Sequence, residues 1–477
     1  MESTWIVVLP EMLIAAGALL ILCAEAFWQG RPDKLLFFLA LIFLAGAIAA
    51  SASAPLAGMS LSGMLASEDY ARLFSTLVLS IAFITVLFSF RYSRRRGFEN
   101  GEYYAILLFA ALGMDLAARA AHWLIFFLGL ELLSISLYIL IAIRKDDPFS
   151  GESGLKYLIT GAVASAFLTF GIGLWYAGAG SLAVRPDVPS GLESIDIQLM
   201  LAGAAFILVG IGFKISMVPF HLWTPDVYQG SPAPVTAFLA TGSKAAVFAF
   251  LIRFCFHMQN PLWNAFKPML WIIALLTLVV GTVSALSQSD LKRLLAYSSV
   301  AQMGYLIMTL LAVKLESGLF ALAFYLIVYG AMDLGAFGII ASLSEEKKDR
   351  DALEDYQGLG YSHPWSSAIL SFCLISLAGL PPSAGFVGKV ILFRAVLQAG
   401  VLVLALIAIA MVVISIYLYM KVVMSLYMRP ATTGAPISAA GFYEQVGGGL
   451  ILIFLLWSGI APSPLLSLIS RILPSGI

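Results

Sequence analysis

One run of sequence interrupts an apolar segment in a way that no continuous helix can follow: GFKISMVPFHLWTPDVYQGSPAPV, from Gly212 to Val235. Lys214 closes the apolar segment, and Pro219 opens a polar, turn-rich stretch that contains further prolines. Proline lacks a backbone donor and clashes with the preceding turn, so it ends or kinks a helix. Within a membrane, non-helical backbone is tolerated only where protein or a water-filled cavity surrounds it. The run therefore predicts a helix broken next to a lysine.

The composition of the whole chain places this break in a membrane protein. Of the 477 residues, 61% are hydrophobic and only 11% are charged, and the mean hydropathy is +0.96. Soluble domains carry about 25% charged residues. The about 290 apolar residues suffice for roughly 14 spans of about 20 residues each. The formal net charge is zero, so no basic patch indicates nucleic-acid binding.

We predict an all-α polytopic fold with about 14 transmembrane helices, forming a single transmembrane domain over residues 1–477. The first segment lacks the basic region and cleavage site of a signal peptide, so it is predicted to be a retained span. The predicted helices lie near Trp5–Glu25, Leu35–Ala52, Ala71–Phe90, Tyr104–Ala120, Trp123–Ile143, Lys156–Tyr176, Met200–Val218, Val235–Phe256, Met269–Leu286, Leu291–Val313, Leu319–Leu343, Trp365–Phe393, Val401–Met428 and Gly447–Ile469.

A second break is predicted in helix 12, where Pro381 and Pro382 precede Lys389 by a few residues. Helices 7 and 12 are five helices apart, and a unit of five helices has odd parity. Two consecutive units, helices 4–8 and 9–13, would therefore be inserted as inverted repeats. The corresponding divisions are residues 1–100 for helices 1–3, 101–257 and 258–428 for the two repeats, and 429–477 for helix 14.

Four lysines and one glutamate lie within the apolar stretches: Lys156, Lys214, Lys244, Lys389 and Glu131. A lysine at the centre of a bilayer costs about 2.5–3.5 kcal/mol on insertion scales, so several in one chain indicate a use. Burial disfavours the charged form of a lysine and a nearby carboxylate favours it. Lysines with a movable carboxylate partner can therefore hold and release protons.

Helical spacing gives these charged groups hydroxyl neighbours. Glu131 shares a face with Ser134 and Tyr138, and Lys244 shares one with Thr241. Helix 10 carries an uncharged polar stripe that consists of Ser298, Gln302 and Tyr305.

Other polar residues can be interpreted as either structural or functional. His221, in the first break, is interpreted as functional, whereas His122, His257 and His363 at helix ends are interpreted as structural. Asp115 and Asp333 are either relay groups or capped, protonated acids. Glu11 is interpreted as a helix-end or subunit-contact acid, and the charged stretch Glu345–Asp355 as a solvated loop.

The cysteines and the basic residues add two constraints. Cys23, Cys255 and Cys373 stand singly, without the spacing of a metal or iron-sulfur site. Basic residues concentrate in the odd-numbered connections, for example at Arg94–Arg96 and Arg144–Lys145. Since cytoplasmic loops carry the excess of Lys and Arg, both chain termini are predicted to face the periplasm.

These motifs resemble the antiporter-like membrane subunits of proton-pumping NADH:quinone oxidoreductase, respiratory complex I. The resemblance covers helices 3–13 and rests on the run Gly212–Val235, on FLGLELLS (Phe127–Ser134), on DLKRLLAYSS (Asp290–Ser299) and on SLAGLPPSAGFVGK (Ser376–Lys389). Lysine at the helix 12 position and a chain that ends soon after helix 14 resemble the branch called subunit N, the homologues of mitochondrial subunit 2.

The resemblance implies a proton-translocating subunit of a translocase. It assigns Glu131 and Lys156 to an ion pair, Lys214 and Lys244 to the centre, Lys389 to the exit, and His221 to the histidine after the helix 7 lysine. It implies no cofactor or metal in this chain, with flavin, iron-sulfur clusters and quinone in other subunits. The implied partners are complex I membrane subunits on both flanks, in a hetero-oligomer embedded in the lipid bilayer of a bacterial inner membrane. Two alternatives remain: a subunit of a multi-subunit cation/proton antiporter, and a non-pumping scaffold subunit.

Overall fold

The fold is a bundle of long apolar helices, seen in a computed structural model that describes residues 6–28, 34–53, 58–60, 63–98, 100–185, 194–344, 349–430 and 440–473. The helices are α1 (Leu9–Phe27), α2 (Leu35–Ser53), α3 (Asp69–Arg95), α4 (Gly101–Arg119), α5 (Trp123–Ile141), α6 (Pro148–Ala179), α7 (Ser194–Lys214), α8 (Trp223–Gly230), α9 (Ala233–Phe238), α10 (Lys244–His257), α11 (Asn260–Leu286), α12 (Leu291–Leu310), α13 (Glu316–Leu343), α14 (Leu359–Ser362), α15 (Pro364–Ala378), α16 (Ala384–Gln398), α17 (Leu402–Met428), α18 (Phe442–Ile460) and α19 (Ser463–Ile472).

Twelve candidate membrane spans are found in the described part of the chain: α1 to α7, α9 continued into α10, α11, α13, α17 and α18. The other two predicted spans are helical but more polar or interrupted: α12, and the pair α15 and α16. The all-helical membrane fold is therefore confirmed. A short hairpin of β1 (Gly58–Ser60) and β2 (Leu65–Ser67) was not predicted.

Two spans lie at the centre of the bundle. The stretch from Ala233 to Cys255 is buried throughout by the rest of the chain, and α13 is almost as enclosed. By contrast, α6 and α17 have large exposed apolar faces. The central helices carry Lys244 and Asp333, both buried. A charged group there is surrounded by protein rather than by lipid.

The first predicted break is confirmed. Helix α7 ends at Lys214, and Ser216 has a positive φ of 62°. The chain resumes as α8 at Trp223, and a π turn (Leu239–Ser243) joins α9 to α10 just before Lys244. Such π turns occur frequently at functional sites.

The second predicted break is also confirmed. Helix α15 ends at Gly379, whose φ of +80° is the left-handed conformation that favours glycine at a helix C-terminus. Helix α16 begins after Ser383, whose hydroxyl accepts from the Phe386 amide. Gly385 lies so close to Ser376 that a β-carbon would stand 1.8 Å from the Ser376 carbonyl oxygen. Glycine therefore lets the two half-helices pack against each other.

Several predicted helix bounds were wrong. Helix 9, predicted from Met269, begins at Asn260 and continues through Pro268. Helix 6 begins at Pro148, two turns before Lys156, because the Asp147 side chain caps the Phe149 amide and proline suits the first turn. Predicted helix 14 is divided between α18 and α19 at Ala461–Pro462, since proline favours extended backbone in the preceding residue.

Candidate functional site

Lys214 lies at the last turn of α7 with its side chain 4% exposed. Its Nζ donates to Ser134 Oγ at 2.5 Å. The ring centroids of Tyr138, Tyr157 and Phe213 lie 5.5–5.8 Å from the same nitrogen. A cation held over aromatic faces is stabilised by the ring quadrupole. The pocket therefore holds the ammonium group with one hydroxyl and three rings.

Glu131 provides the carboxylate of this pocket. It precedes Ser134 by three residues on α5, and residues at that spacing share a helix face. Its Oε1 accepts from Ser165 Oγ of α6 at 2.5 Å. Ser134, which accepts from Lys214 Nζ, lies on the same face of α5 as Glu131. Lys214 of α7 therefore contacts the face of α5 that carries Glu131.

Lys156 is not in this pocket, and the predicted ion pair between Glu131 and Lys156 is wrong. Lys156 Nζ bonds Asp226 Oδ2 and Glu152 Oε1, both at 2.8 Å, and its side chain is 43% exposed. Glu131 instead contacts Ser165, nine residues further along α6. At 1.5 Å per residue this is roughly 13 Å from Lys156 along the helix axis.

Asp226 joins Lys156 to a polar cleft of about 1230 Å³. The cleft lies where the odd-numbered connections meet. Asp226 also bonds Arg293 Nη1 at 2.8 Å. The charges of Lys156 and Arg293 lower the pKa of Asp226 although burial alone would raise it. Lys156 is therefore part of the cleft rather than of the buried pocket.

A second group of charges lies buried beside the cleft. Asp349 bonds Lys292 Nζ at 2.5 Å, Arg96 Nη2 at 2.6 Å and the Tyr92 hydroxyl at 2.8 Å. Burial alone would raise the pKa of Asp349, but Lys292, Arg96 and Arg144 together hold it well below its usual range. The prediction of a solvated loop is wrong at Asp349 and Arg350, which are buried, whereas Glu354 is exposed as predicted. Glu345–Lys348 lie outside the described residues.

Lys244 forms the next buried site. Its side chain is 1% exposed, and its Nζ donates to Ser299 Oγ at 2.5 Å. Ser299 Oγ lies 2.6 Å from the Tyr329 hydroxyl, which donates to Asp333 Oδ2 at 2.8 Å. The structure therefore links Lys244 to Asp333 through two hydroxyl groups.

Aromatic rings separate the Lys214 and Lys244 sites. Tyr157 beside Lys214 and Tyr228 beside Lys244 both pack against Trp223, at centroid distances of 4.7 Å and 6.2 Å. Lys244 Nζ lies 5.7 Å from the Tyr228 centroid. Trp223 begins α8, directly after the first helix break. The break thus supplies the side chain that stands between the two lysines.

Lys389 occupies the second break. Its Nζ donates to the carbonyl oxygens of Leu377 and Ala378 at 2.8 Å and 3.0 Å. These are the last carbonyls of α15, which the helix itself leaves without partners. Lys389 Nζ also lies 5.3 Å from the Tyr305 centroid. Ending α15 at this depth therefore creates the acceptors that hold the lysine.

The uncharged stripe of α12 lies beside the second break. Gln302 Oε1 accepts from the Tyr325 hydroxyl at 2.5 Å, and its Nε2 lies 3.4 Å from the Leu377 carbonyl. Ser298 bonds the Tyr419 hydroxyl of α17. Tyr325 precedes Tyr329 by one turn of α13, so the polar groups around Lys389 and Lys244 share this helix.

His221 lies in the first break and is 7% exposed. Its ring stands 6.4 Å from that of Tyr297. His221 Nδ1, Ser216 Oγ and Thr224 Oγ1 are buried polar atoms that have no hydrogen-bond partner among the described residues. The break therefore contains three buried polar atoms without a protein partner among the described residues.

Sequence reasoning missed the roles of Ser299 and Asp226, and of the acid–base cluster at Asp349. Ser299 follows Ser298 directly and ends the motif Asp290–Ser299. Its position on the neighbouring face of α12 is the sequence signal that could have indicated its role. Glu11 was interpreted as a helix-end or subunit-contact acid. It does lie in the first turn of α1, and it is buried within this chain, with Oε1 2.5 Å from Arg119 Nη1. Arg119 also lies 3.9 Å from Asp115.

Within the ranges that the structure describes, no group of three or more His, Cys, Asp or Glu side chains is placed to hold a metal ion. The polar groups of the bundle are lysines, carboxylates, hydroxyls and amides at hydrogen-bond distances. Such groups can exchange protons.

The fold and the line of buried lysines define an antiporter-like membrane subunit. The family model described as NADH:quinone oxidoreductase/Mrp antiporter, transmembrane, matches residues 120–415. NADH-quinone oxidoreductase subunit N of Geotalea uraniireducens is 42% identical over 474 residues, which cover 98% of each chain. The Methylococcus capsulatus protein of the same name is 39% identical, covering 96% of this chain and 93% of that one. The chain therefore belongs to the NADH-quinone oxidoreductase subunit N family.

Solved structures agree with this assignment. A chain of respiratory complex I from Thermus thermophilus is 31% identical with a TM-score of 0.83, covering 96% of this chain and 98% of that chain. A chain of the Mrp complex from Dietzia sp. has a TM-score of 0.82 at 19% identity, covering 99% and 97%. The second likeness shows the fold alone.

Proposed function

We propose that this chain translocates protons as a membrane subunit of NADH:quinone oxidoreductase, through Glu131, Lys214, Lys244 and Lys389. The observation that carries the proposal is the burial of three lysines, each hydrogen-bonded to a hydroxyl or carbonyl oxygen. Burying an ammonium group in a membrane protein costs free energy, so such groups mark functional positions. Subunit N relatives at about 40% identity over nearly the full length support the assignment to this complex.

Charge movement would begin at Glu131 and Lys214. When the carboxylate is ionised and close, it favours the protonated lysine, and when it moves away or binds a proton, burial favours the neutral amine. Ser134 holds Nζ at 2.5 Å in the present arrangement. A change at Glu131 would therefore release the proton of Lys214 towards the break.

The step from Lys214 to Lys244 passes the aromatic rings at Trp223. Buried polar atoms are normally hydrogen-bonded to protein or to water, so the unpartnered atoms of Ser216, His221 and Thr224 are suitable places for bridging water molecules. We assign His221 to this step. From Lys244 the polar groups of α12 and α13 continue towards Lys389, the proposed exit residue.

The chain holds no redox centre in this proposal, and flavin, iron-sulfur clusters and quinone belong to other subunits. Neighbouring membrane subunits on both flanks would transmit the coupling energy. The proposed location is a bacterial inner membrane with both termini in the periplasm. The proposed inverted repeats span residues 101–257 and 258–428, preceded by residues 1–100 and followed by 429–477.

Purification distinguishes this function from the two alternatives. Co-migration with flavin and iron-sulfur subunits supports a complex I subunit. Sodium/proton exchange by an assembly that lacks those subunits would support the antiporter. A complex that assembles and pumps normally when the buried lysines are replaced would support the scaffold.

Lys156 offers a contrast within the chain, because it lies in the exposed cleft. We expect Lys156→Ala to lower the stability by less than about 1 kcal/mol, the usual range for exposed ion pairs. The ratio of protons pumped to electrons transferred should fall much less than in Lys214→Ala. Parallel pumping measurements on the two assembled variants check this. An equal loss of proton pumping in both variants would show that Lys156 belongs to the translocation path.

A further inference from the structure

Asp333 is a buried acid at the centre of the bundle that the proposed path does not use. It lies on α13 and is 0% exposed. Its Oδ2 accepts from the Tyr329 hydroxyl, while Oδ1 has no hydrogen-bond partner in the part of the chain that the structure describes. Burying a carboxylate that is incompletely hydrogen-bonded is costly. The site therefore calls for an explanation beyond packing.

The contacts of Asp333 lead directly to Lys244. The path runs from Lys244 Nζ to Ser299 Oγ over 2.5 Å, to Tyr329 Oη over 2.6 Å and to Asp333 Oδ2 over 2.8 Å. The two distances between oxygen atoms are those of ordinary hydrogen bonds, and the lysine nitrogen lies within hydrogen-bond reach of Ser299. Four helices or half-helices contribute to the surroundings: α10, α12, α13 and, through the Tyr228 ring, α8. These four elements enclose the path within the protein.

The donors of this path can all point one way. The lysine ammonium has only donors, so Ser299 must accept from it. The Ser299 hydroxyl is then free to donate to Tyr329, and Tyr329 donates to the carboxylate. This order suits transfer of a proton from the lysine to the acid.

Tyr329 also offers a point of control. Its hydroxyl lies 3.0 Å from the Ala240 carbonyl oxygen as well as 2.8 Å from Asp333. Ala240 belongs to the π turn that precedes Lys244. One hydroxyl proton favours one of the two acceptors at a time. A shift of the π turn would therefore open or close the path.

We propose that Asp333 is the proton acceptor of Lys244, a second carboxylate of the translocation path in addition to Glu131. The proposal rests on the proposed function. In the step, the lysine proton passes to Ser299, the serine hydroxyl proton to Tyr329, and the tyrosine hydroxyl proton to Asp333. A neutral amine and a neutral carboxylic acid result. The summed charge of the site is unchanged.

Asp333→Asn tests the acceptor directly. Asparagine has nearly the same shape and still accepts from Tyr329, but it cannot take up a proton. Loss of a positioned acid or base typically slows proton transfer about 10²- to 10⁴-fold. We expect the assembled variant complex to pump fewer protons per NADH oxidised in membrane vesicles. Glu316→Gln, an exposed acid at the start of the same helix, is the matched control and should retain the full ratio.

Tyr329→Phe distinguishes a proton path from a fixed counter-charge, because it keeps the carboxylate and removes the bridging hydroxyl. We expect the same loss of pumping as in Asp333→Asn. Tyr103→Phe is the control, since the Tyr103 hydroxyl is also buried and bonds a serine, Ser89, at 2.6 Å, but lies between α3 and α4. Normal pumping in Tyr329→Phe would overturn the path.

Lys214→Ala, measured in parallel, separates this inference from the proposed function. If Lys214→Ala loses pumping and both Asp333→Asn and Tyr329→Phe retain it, the inference fails alone. If all three retain the full ratio, the proposed function fails as well. If Asp333→Asn does not assemble, Tyr329→Phe decides the question, with infrared difference spectra of the parent complex. A change in a protonated carboxyl band during turnover that Tyr329→Phe abolishes would support the proposal, and a band unaffected by that substitution would contradict it.

Discussion

Asp349→Asn is expected to destabilise the protein by roughly 3–5 kcal/mol, the usual cost of removing one partner from a buried ion pair. Asparagine keeps the shape of the side chain but leaves Lys292, which is 0% exposed, without its carboxylate at 2.5 Å. Arg96 loses its partner at 2.6 Å in the same change. The measurement is the thermal midpoint and the yield of the assembled complex.

Asp146→Asn is the control for this prediction, because Asp146 is an exposed carboxylate on the same cleft. It should assemble like the parent. The lowered pKa of Asp349 fixes the sign of the pH dependence. Its contribution to stability is present above the unfolded value of about 3.9 and is lost only as pH falls through the lower folded value. A defect that disappears at neutral pH would contradict the prediction.

Lys389→Met is expected to separate pumping from stability. Methionine has a similar length but no proton to transfer, so pumping through this chain should fall. Lys389 has no carboxylate within ion-pair distance among the described residues, and its partners are two carbonyl oxygens. Removing a buried ammonium group recovers its desolvation cost, which offsets the two lost hydrogen bonds. The free energy of unfolding should therefore change by less than about 3 kcal/mol.

Thermal melting and proton pumping of the same Lys389→Met preparation check this expectation. Lys421→Met is the control, since Lys421 is half-buried on α17 and reaches the Gln288 carbonyl outside the line of lysines. A Lys389 variant that melts early and pumps fully would assign the lysine a structural role. A variant that melts normally and pumps poorly supports its place at the exit.

The breaks and the lysine positions could be predicted because their causes are local. Proline disfavours a helix interior, and a lysine in an apolar run is visible in any single segment. Proline alone is not decisive, because α11 continues through Pro268; at both breaks it stands among further turn-forming residues. Pro219 and Pro381 therefore predicted the breaks beside Lys214 and Lys389. The polar stripe of α12 followed from helical periodicity in the same way.

The partners of these groups could not be predicted, because they depend on how distant segments meet. Asp349 lies 253 residues from Arg96 in sequence, yet the two bond each other. The charge pattern around Asp349 looked like a solvated loop because its basic partners lie on other elements. Lys156 was paired with Glu131 from the family pattern, whereas the true start of α6 directs it to Asp226. Asp333 stood out in the sequence, but its connection to Lys244 required the position of Ser299.

The central claim is that buried lysines of this chain carry protons across the membrane. The most direct test is the number of protons pumped per electron transferred by an assembled complex that carries Lys214→Ala. Lys214 contacts the face of α5 that carries Glu131, so we predict a lower ratio in a complex that still contains all its subunits. An assembled complex with full quinone reductase activity and an undiminished ratio would contradict the account.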